Sequence, residues 1–297
     1  MKNSMSNLSN DQIQSLNKMV KTFVQEIHNT IEQKDAQRIT ELTLDDVFVF
    51  GAAANDVSVG KNQWVANLRS YFEQLKDVEF HVRSSDPRVG LCHSGRSAWF
   101  LDQFVIKIIE NGEASRNIPI RLTGLLVQDQ DWRLAVAFWS IPLRNNEYQY
   151  SLLQDGKIQS GLALDSQVMP EAKSLAQSLA DMMTKPISTS ELYSTRHDSF
   201  TIGSTVDEVF LAAEGKKWVR EITELPLKFS LLRGGVRSGV SSDGCTAWMA
   251  THIDIVGGIT MPYRFFYVWL REQDEWKIVV SHDAVSIDSF NSGFDFQ

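Results

Sequence analysis

Cysteine is scarce: Cys92 and Cys245 are the only two in 297 residues. That excludes a disulfide framework and a cysteine zinc site, and it points to a reducing compartment, with a cytoplasmic location expected and both thiols acting as small core residues. Long apolar runs are missing too. None approaches the roughly 18 residues that a membrane-spanning helix needs, so no membrane partner is expected. There is no lysine and arginine stripe, and the net charge of -8 disfavours a nucleic-acid backbone as partner. The opening "MKNSMSNLSN" has no apolar centre and reads as a flexible tail over residues 1–9 rather than a secretory signal. The chain also contains no G-x-S-x-G, no H-E-x-x-H, no Cys/His pair and no dinucleotide fingerprint. Neither a cofactor nor a metal is expected.

What is present is a repeat. Hydrophobic residues make up 43% and charged residues 22%, enough for ordinary cores, and the length suggests two domains. "GRSAWF" (Gly95 to Phe100) is answered by "GCTAWM" (Gly244 to Met249), and "PIR" (Pro119 to Arg121) by "PYR" (Pro262 to Arg264). "QDQDWRLAVAF" (Gln128 to Phe138) is answered by "EQDEWKIVVSH" (Glu272 to His282), and "FVFG" (Phe48 to Gly51) by "FTIG" (Phe200 to Gly203). The order is kept and the spacing drifts by only a few residues. This is a duplication. The expected domains are residues 10–145 and 168–297, joined by a linker over residues 146–167 with a short strand at "YQYSLL".

Each half opens with helices. In the first, Ile13, Leu16, Val20, Phe23, Ile27 and Ile31 share a face, with Ser9 and Gln12 spaced for a capping box. In the second, Pro170 suits a first helical turn, Leu175, Leu179 and Met182 continue one face, and Pro186 stops it. A further helix is marked by Trp64, Leu68, Tyr71 and Leu75, and its counterpart by Trp218, Ile222 and Leu225 before Pro226. The period then falls to two in "RSAWFLDQFVIKII", "IPIRLTGLLVQ" and "WRLAVAFWSI", separated by "ENGEASRN" and "QDQD" turns. Helices followed by a mainly antiparallel meander give an α+β class, and "RGGVRSG" (Arg233 to Gly239) reads as a hairpin rather than a phosphate loop.

The leading helix, "DDVFVFG", "GKNQWV", the arginine in the penultimate strand and the closing "DWRLAVAFWSIP" resemble the SnoaL-like branch of the nuclear transport factor 2-like superfamily. The resemblance covers residues 10–143 and, more loosely, 169–290. It implies two cone-shaped domains, each with helices on a strongly curved sheet around an apolar cavity. It also implies an intramolecular pseudo-dimer, with a homodimer possible, because such domains pair through their sheets. Fold alone does not set the reaction.

Three readings follow from the resemblance. The first is a binder of a small apolar or aromatic molecule, with Trp99, Arg121, Phe138, Trp248, His252 and Tyr263 as candidate ligand contacts. The second is a cofactor-independent cyclase, isomerase or dehydratase. There Asp283 would be the acid–base group, as the family's closing strand implies, with His282 assisting and Arg264 stabilising negative charge. The third is a protein-interaction module with both cones filled. Adjacent strand residues point to opposite faces, so at most one of His282 and Asp283 enters a cone. Arg121 and Arg264 occur in both copies while other polar residues differ, which favours a structural ion pair over a substrate contact. His252 and Asp254 share a strand face, but their spacing supports no metal site.

Overall fold

The computed structural model describes residues 8–52, 56–143, 189–223, 228–256 and 260–285. Residues 1–7 of the expected tail, the whole expected linker, the helix expected after Pro170, and Leu225 with Pro226 lie outside the described residues. The described chain forms two compact units, divided after Ile141.

In the first unit, α1 (Asn10–Glu32) starts where its sequence says it should. Ser9 Oγ accepts from the Gln12 amide and Gln12 Oε1 accepts from the Ser9 amide, so the capping box closes. The buried face is Val20, Phe23, Val24, Ile27 and His28. Ile13, expected on that face, is exposed. A short α2 (Ile39–Leu42) leads into β1 (Thr43–Phe50), then β2 (Val57–Val59) and α3 (Lys61–Gln74). α3 buries Trp64, Val65 and Phe72, and leaves Tyr71 exposed, so its packed face is turned slightly from the one expected.

Five more strands complete this unit: β3 (Glu79–Ser84), β4 (Arg88–Leu91), β5 (Ser97–Glu110), β6 (Glu113–Gln128) and β7 (Trp132–Ser140). The sheet runs β2-β1-β7-β6-β5-β3, with β4 also pairing β5. All neighbours are antiparallel except β1 and β7, which are parallel. Most of "ENGEASRN" is strand rather than turn. Asn111 (φ 55°) and Gly112 (φ 82°) make the reversal alone, the residue pair that a two-residue hairpin favours. Breaks in register at Ile108/Ile109 and Leu125/Leu126 bend the long strands.

The second unit contains a 3-10 turn (Thr189–Leu192), β8 (Phe200–Ile202), β9 (Val209–Leu211), α4 (Ala212–Thr223), β10 (Lys228–Val240), β11 (Thr246–Val256), β12 (Thr260–Glu272) and β13 (Glu275–Val285). Its sheet runs β9-β8-β13-β12-β11-β10, again with one parallel pair, β8 with β13. Strand for strand this repeats the first sheet, with β10 in place of β3 and β4. "RGGVRSG" lies inside β10, where the pairing with β11 shifts between Leu231 and Val236, so it is a bulged strand and not a hairpin.

The repeated phrases have a common physical cause. Gly95 and Gly244 both take positive φ, at 70° and 66°, and both donate to the residue three back, Cys92 or Ser241. Gly90 lies across from Trp99 and Gly239 across from Trp248, and a Cβ on either glycine would overlap the indole nitrogen. Each tryptophan therefore lies flat over a glycine on the neighbouring strand. Gly51 and Gly203 likewise donate to Asp56 and Glu208 to close the small β1–β2 and β8–β9 hairpins. Among the described residues no helix is long and apolar enough to cross a membrane.

Candidate functional site

The helix-facing side of the first sheet is fixed by contacts from α1. Asp102 and Phe104 alternate on β5 with Gln103, which is exposed. His28 of α1 meets both: its Nε2 is 2.8 Å from Asp102 Oδ2, and its ring centroid is 4.6 Å from that of Phe104. On β3, Ser84 donates its hydroxyl to Asp102 Oδ1 at 2.7 Å. Strand pairing places Leu122 beside Asp102 and Trp139 beside Leu122, and Trp139 meets Phe104 edge-on at 5.8 Å.

The pair is almost inaccessible, with His28 at 1% and Asp102 at 0% exposure. A carboxylate so deep in the protein is costly unless a cation or donors face it, and here Ser84 and the imidazole do so. The His28–Asp102 approach has ion-pair distance but is misaligned for a linear hydrogen bond. Among the described residues neither ring nitrogen of His28 has a hydrogen-bond partner. An imidazole held against a carboxylate can take and return a proton.

The second unit builds a different polar group on its helix-facing side. Tyr263, Phe265, Tyr267 and Trp269 line one face of β12, with Phe265 and Tyr267 stacked at 5.9 Å, and Trp218 and Val219 of α4 pack against them. Across the strand pair, Asp283 lies beside Phe265 and Ser281 beside Tyr267. The Tyr193 hydroxyl donates to Ser281 Oγ at 3.2 Å. Burial pushes the Tyr193 and Tyr267 phenols well up, and the nearby Asp283 carboxylate raises both further, so both remain neutral donors.

The residues nominated from sequence divide between two faces. Asp283 and Tyr263 face the helices. Trp99, Arg121 and Phe138 lie on the opposite face of the first sheet, as do Trp248, His252, Arg264 and His282 in the second. Arg264 pairs with His252 and Ala284, not with Asp283. The trio Asp283, His282 and Arg264 therefore cannot converge on one substrate, since strand alternation sends Asp283 one way and the other two the other. Arg121 and Arg264 are each 1% exposed, and among the described residues no three His, Cys, Asp or Glu side chains are grouped to hold a metal.

No motif marks His28, Asp102 or Tyr193 in the sequence, although a weaker signal exists for the first two. His28 falls on the Val20–Val24–Ile27 stripe of α1, and Asp102 interrupts an apolar run, "AWFLDQFVI". Tyr193 sits in an irregular segment with no periodicity to place it.

Residues 20–144 match the family model of the SnoaL-like domain. The first repeat is a SnoaL-like domain. Solved structures of similar shape include an uncharacterized protein with a cystatin-like fold from Caulobacter vibrioides (15% identity, 45% of this chain and 93% of that one, TM-score 0.37). Others are a putative scytalone dehydratase from Novosphingobium aromaticivorans (11%, 46% and 89%, 0.40) and ActVI-ORFA from Streptomyces coelicolor (9%, 43% and 96%, 0.38). Each covers less than half of this chain with most of its own length. No curated protein matches the chain. The SnoaL-like resemblance expected from sequence holds over residues 20–144, and the α+β class holds.

Proposed function

We propose that the SnoaL-like first repeat binds a small apolar or aromatic molecule on its helix-facing side and moves a proton on it. His28 is the acid–base group and Asp102 fixes its orientation. The observation that carries this reading is the buried His28–Asp102 pair, 2.8 Å apart, set against the rings of Phe104 and Trp139. Phe104, Leu122 and Trp139 supply the apolar and aromatic surroundings that would hold such a molecule. The reaction class is a lyase or isomerase step that needs no cofactor: abstraction of a proton from carbon next to a carbonyl, or loss of water from the adjacent carbon.

A test is open even with the natural substrate unidentified. A panel of aromatic ketones and β-hydroxy ketones is incubated with the protein in D2O, and exchange or dehydration is followed by NMR. Exchange well above buffer that disappears in His28→Gln and falls at least about a hundredfold in Asp102→Asn is the expected result. Exchange equal in wild type and His28→Gln overturns it.

A second reading is favoured by one observation: Asp283 is half-buried on the helix-facing side among aromatic rings, next to Tyr193 and Tyr267. If the second repeat carries the chemistry, Asp283→Asn abolishes exchange while His28→Gln does not. Ligand binding that survives both substitutions, with no exchange in any variant, would leave a binding protein.

A further inference from the structure

We propose that Glu32 is a positioning residue for His28, and that β3 is the jig that aligns both members of the pair. This rests on the His28–Asp102 reading above. Glu32 is one helical turn beyond His28 on α1, so the two side chains leave the same face of the helix. Its carboxylate takes two contacts from consecutive residues of β3. Oε2 accepts from the Val82 amide at 2.8 Å, and Oε1 lies 3.0 Å from His81 Nδ1. Two residues further along the same strand, Ser84 holds Asp102. One strand thus grips the carboxylate of the pair directly and the helix bearing the imidazole through Glu32.

The arrangement answers a mechanical need. Val20, Val24 and Ile27 hold α1 against the sheet by apolar packing, which has no preferred direction. Advancing a helix by one residue moves a side chain about 1.5 Å and turns it about 100°, enough to lose a 2.8 Å contact. Directional bonds at the last turn remove that freedom. β3 ends the path of paired strands, so the outward Val82 amide has no strand partner and is available to the carboxylate. A glutamate at a helix C-terminus is disfavoured by the helix dipole, so its presence there is offset by these donors. Burial pushes the Glu32 carboxyl up, but the His81 contact and the Val82 amide outweigh it, with Arg83 adding to them, and hold it below the usual glutamate value. Other charged groups around His81 are Glu79, 3.6 Å from its Nε2, and Lys107, its partner on β5.

The experiment uses the full chain with 15N-labelled histidine at one fixed pH. The ring signals of His28 are assigned through His28→Gln, and Asp102→Asn supplies their positions when the contact is broken. In Glu32→Ala the His28 signals should move at least about halfway to those positions, with deuterium exchange down roughly tenfold. Glu32→Gln keeps an acceptor for the Val82 amide and should restore both. His81→Ala, which removes one of two contacts, should fall between and serves if Glu32→Ala does not fold. A lower melting temperature with His28 signals unmoved in Glu32→Ala or His81→Ala means the tether is structural only and overturns the proposal. His28 signals unmoved in Asp102→Asn overturn the pair itself, and this proposal with it.

Discussion

The two repeats place different side chains in the same row of the sheet. In the first, β5, β6 and β7 contribute Asp102, Leu122 and Trp139 side by side. In the second, the matching row across β11, β12 and β13 is Thr251, Phe265 and Asp283. Carboxylate and aromatic ring have moved: the acid sits on the middle-sheet strand in one copy and on the closing strand in the other, and only the first copy, among the described residues, answers its acid with a helix-borne histidine. Meanwhile the glycine turns, the tryptophans over glycine and the single parallel pair are kept in both. Backbone geometry that only glycine satisfies resists change. Side chains on the helix-facing side of the sheet do not.

Substitutions in each copy put that difference to the test. The largest effect belongs to Asp102→Ala, which leaves a buried imidazole without its partner and should cost about 3–5 kcal/mol, read by urea denaturation. The double variant His28→Leu with Asp102→Leu should recover most of that loss while remaining without exchange activity, since a packed apolar pair needs no compensation. A double variant as unstable as the single one would mean that the pair contributes stability rather than chemistry.

Next comes the shared scaffold. Gly90→Ala drives a methyl group into Trp99, which is fully buried, and should cost about 3 kcal/mol. Gly239→Ala meets Trp248 less deeply, and at 8% exposure that ring has some room to shift, so a cost of about 1.5 kcal/mol is expected. Equal costs would show that the two cradles are equally rigid.

Smaller again is Tyr193→Phe, which removes the hydroxyl bonded to buried Ser281 and should cost about 1 kcal/mol without affecting exchange in the first repeat. The smallest effect is a pH dependence. Because the folded Glu32 carboxyl titrates below its unfolded value, its contribution is complete above the unfolded value and is lost as pH falls through the folded one. Melting temperatures recorded from pH 6 down to pH 3 should therefore fall less steeply for Glu32→Gln than for wild type.

How much of this is legible in the sequence depends on the kind of signal. The duplication and the class can be read because glycine turns, capping residues and two-residue alternation leave marks at fixed spacing: Ser9 with Gln12, Gly95 with Gly244, Trp99 with Trp248. The faces cannot. Whether Arg264 looks toward the helices or away depends on pairing register, and register is set by partners far along the chain. The His28–Asp102 pair is hidden for a related reason. Its members lie on a helix and a strand more than seventy residues apart, and only the closed fold brings them within 2.8 Å. The family resemblance points instead to the closing strand of the second repeat, and of His282 and Asp283 there only Asp283 lies on the helix-facing side.

The parallel pairing of first strand with last has a consequence for how the chain is made. β1 finds its parallel neighbour only when β7 has been synthesised, and β8 only when β13 has. At roughly 5–20 residues added per second, the N-terminal copy is complete several seconds before the strands of the other emerge. That delay matters for two sequences so alike, because each closing strand carries a pattern its counterpart could accept. Emergence in sequence lets the earlier copy seal its own sheet before a competing strand exists, so the order of translation protects against cross-pairing.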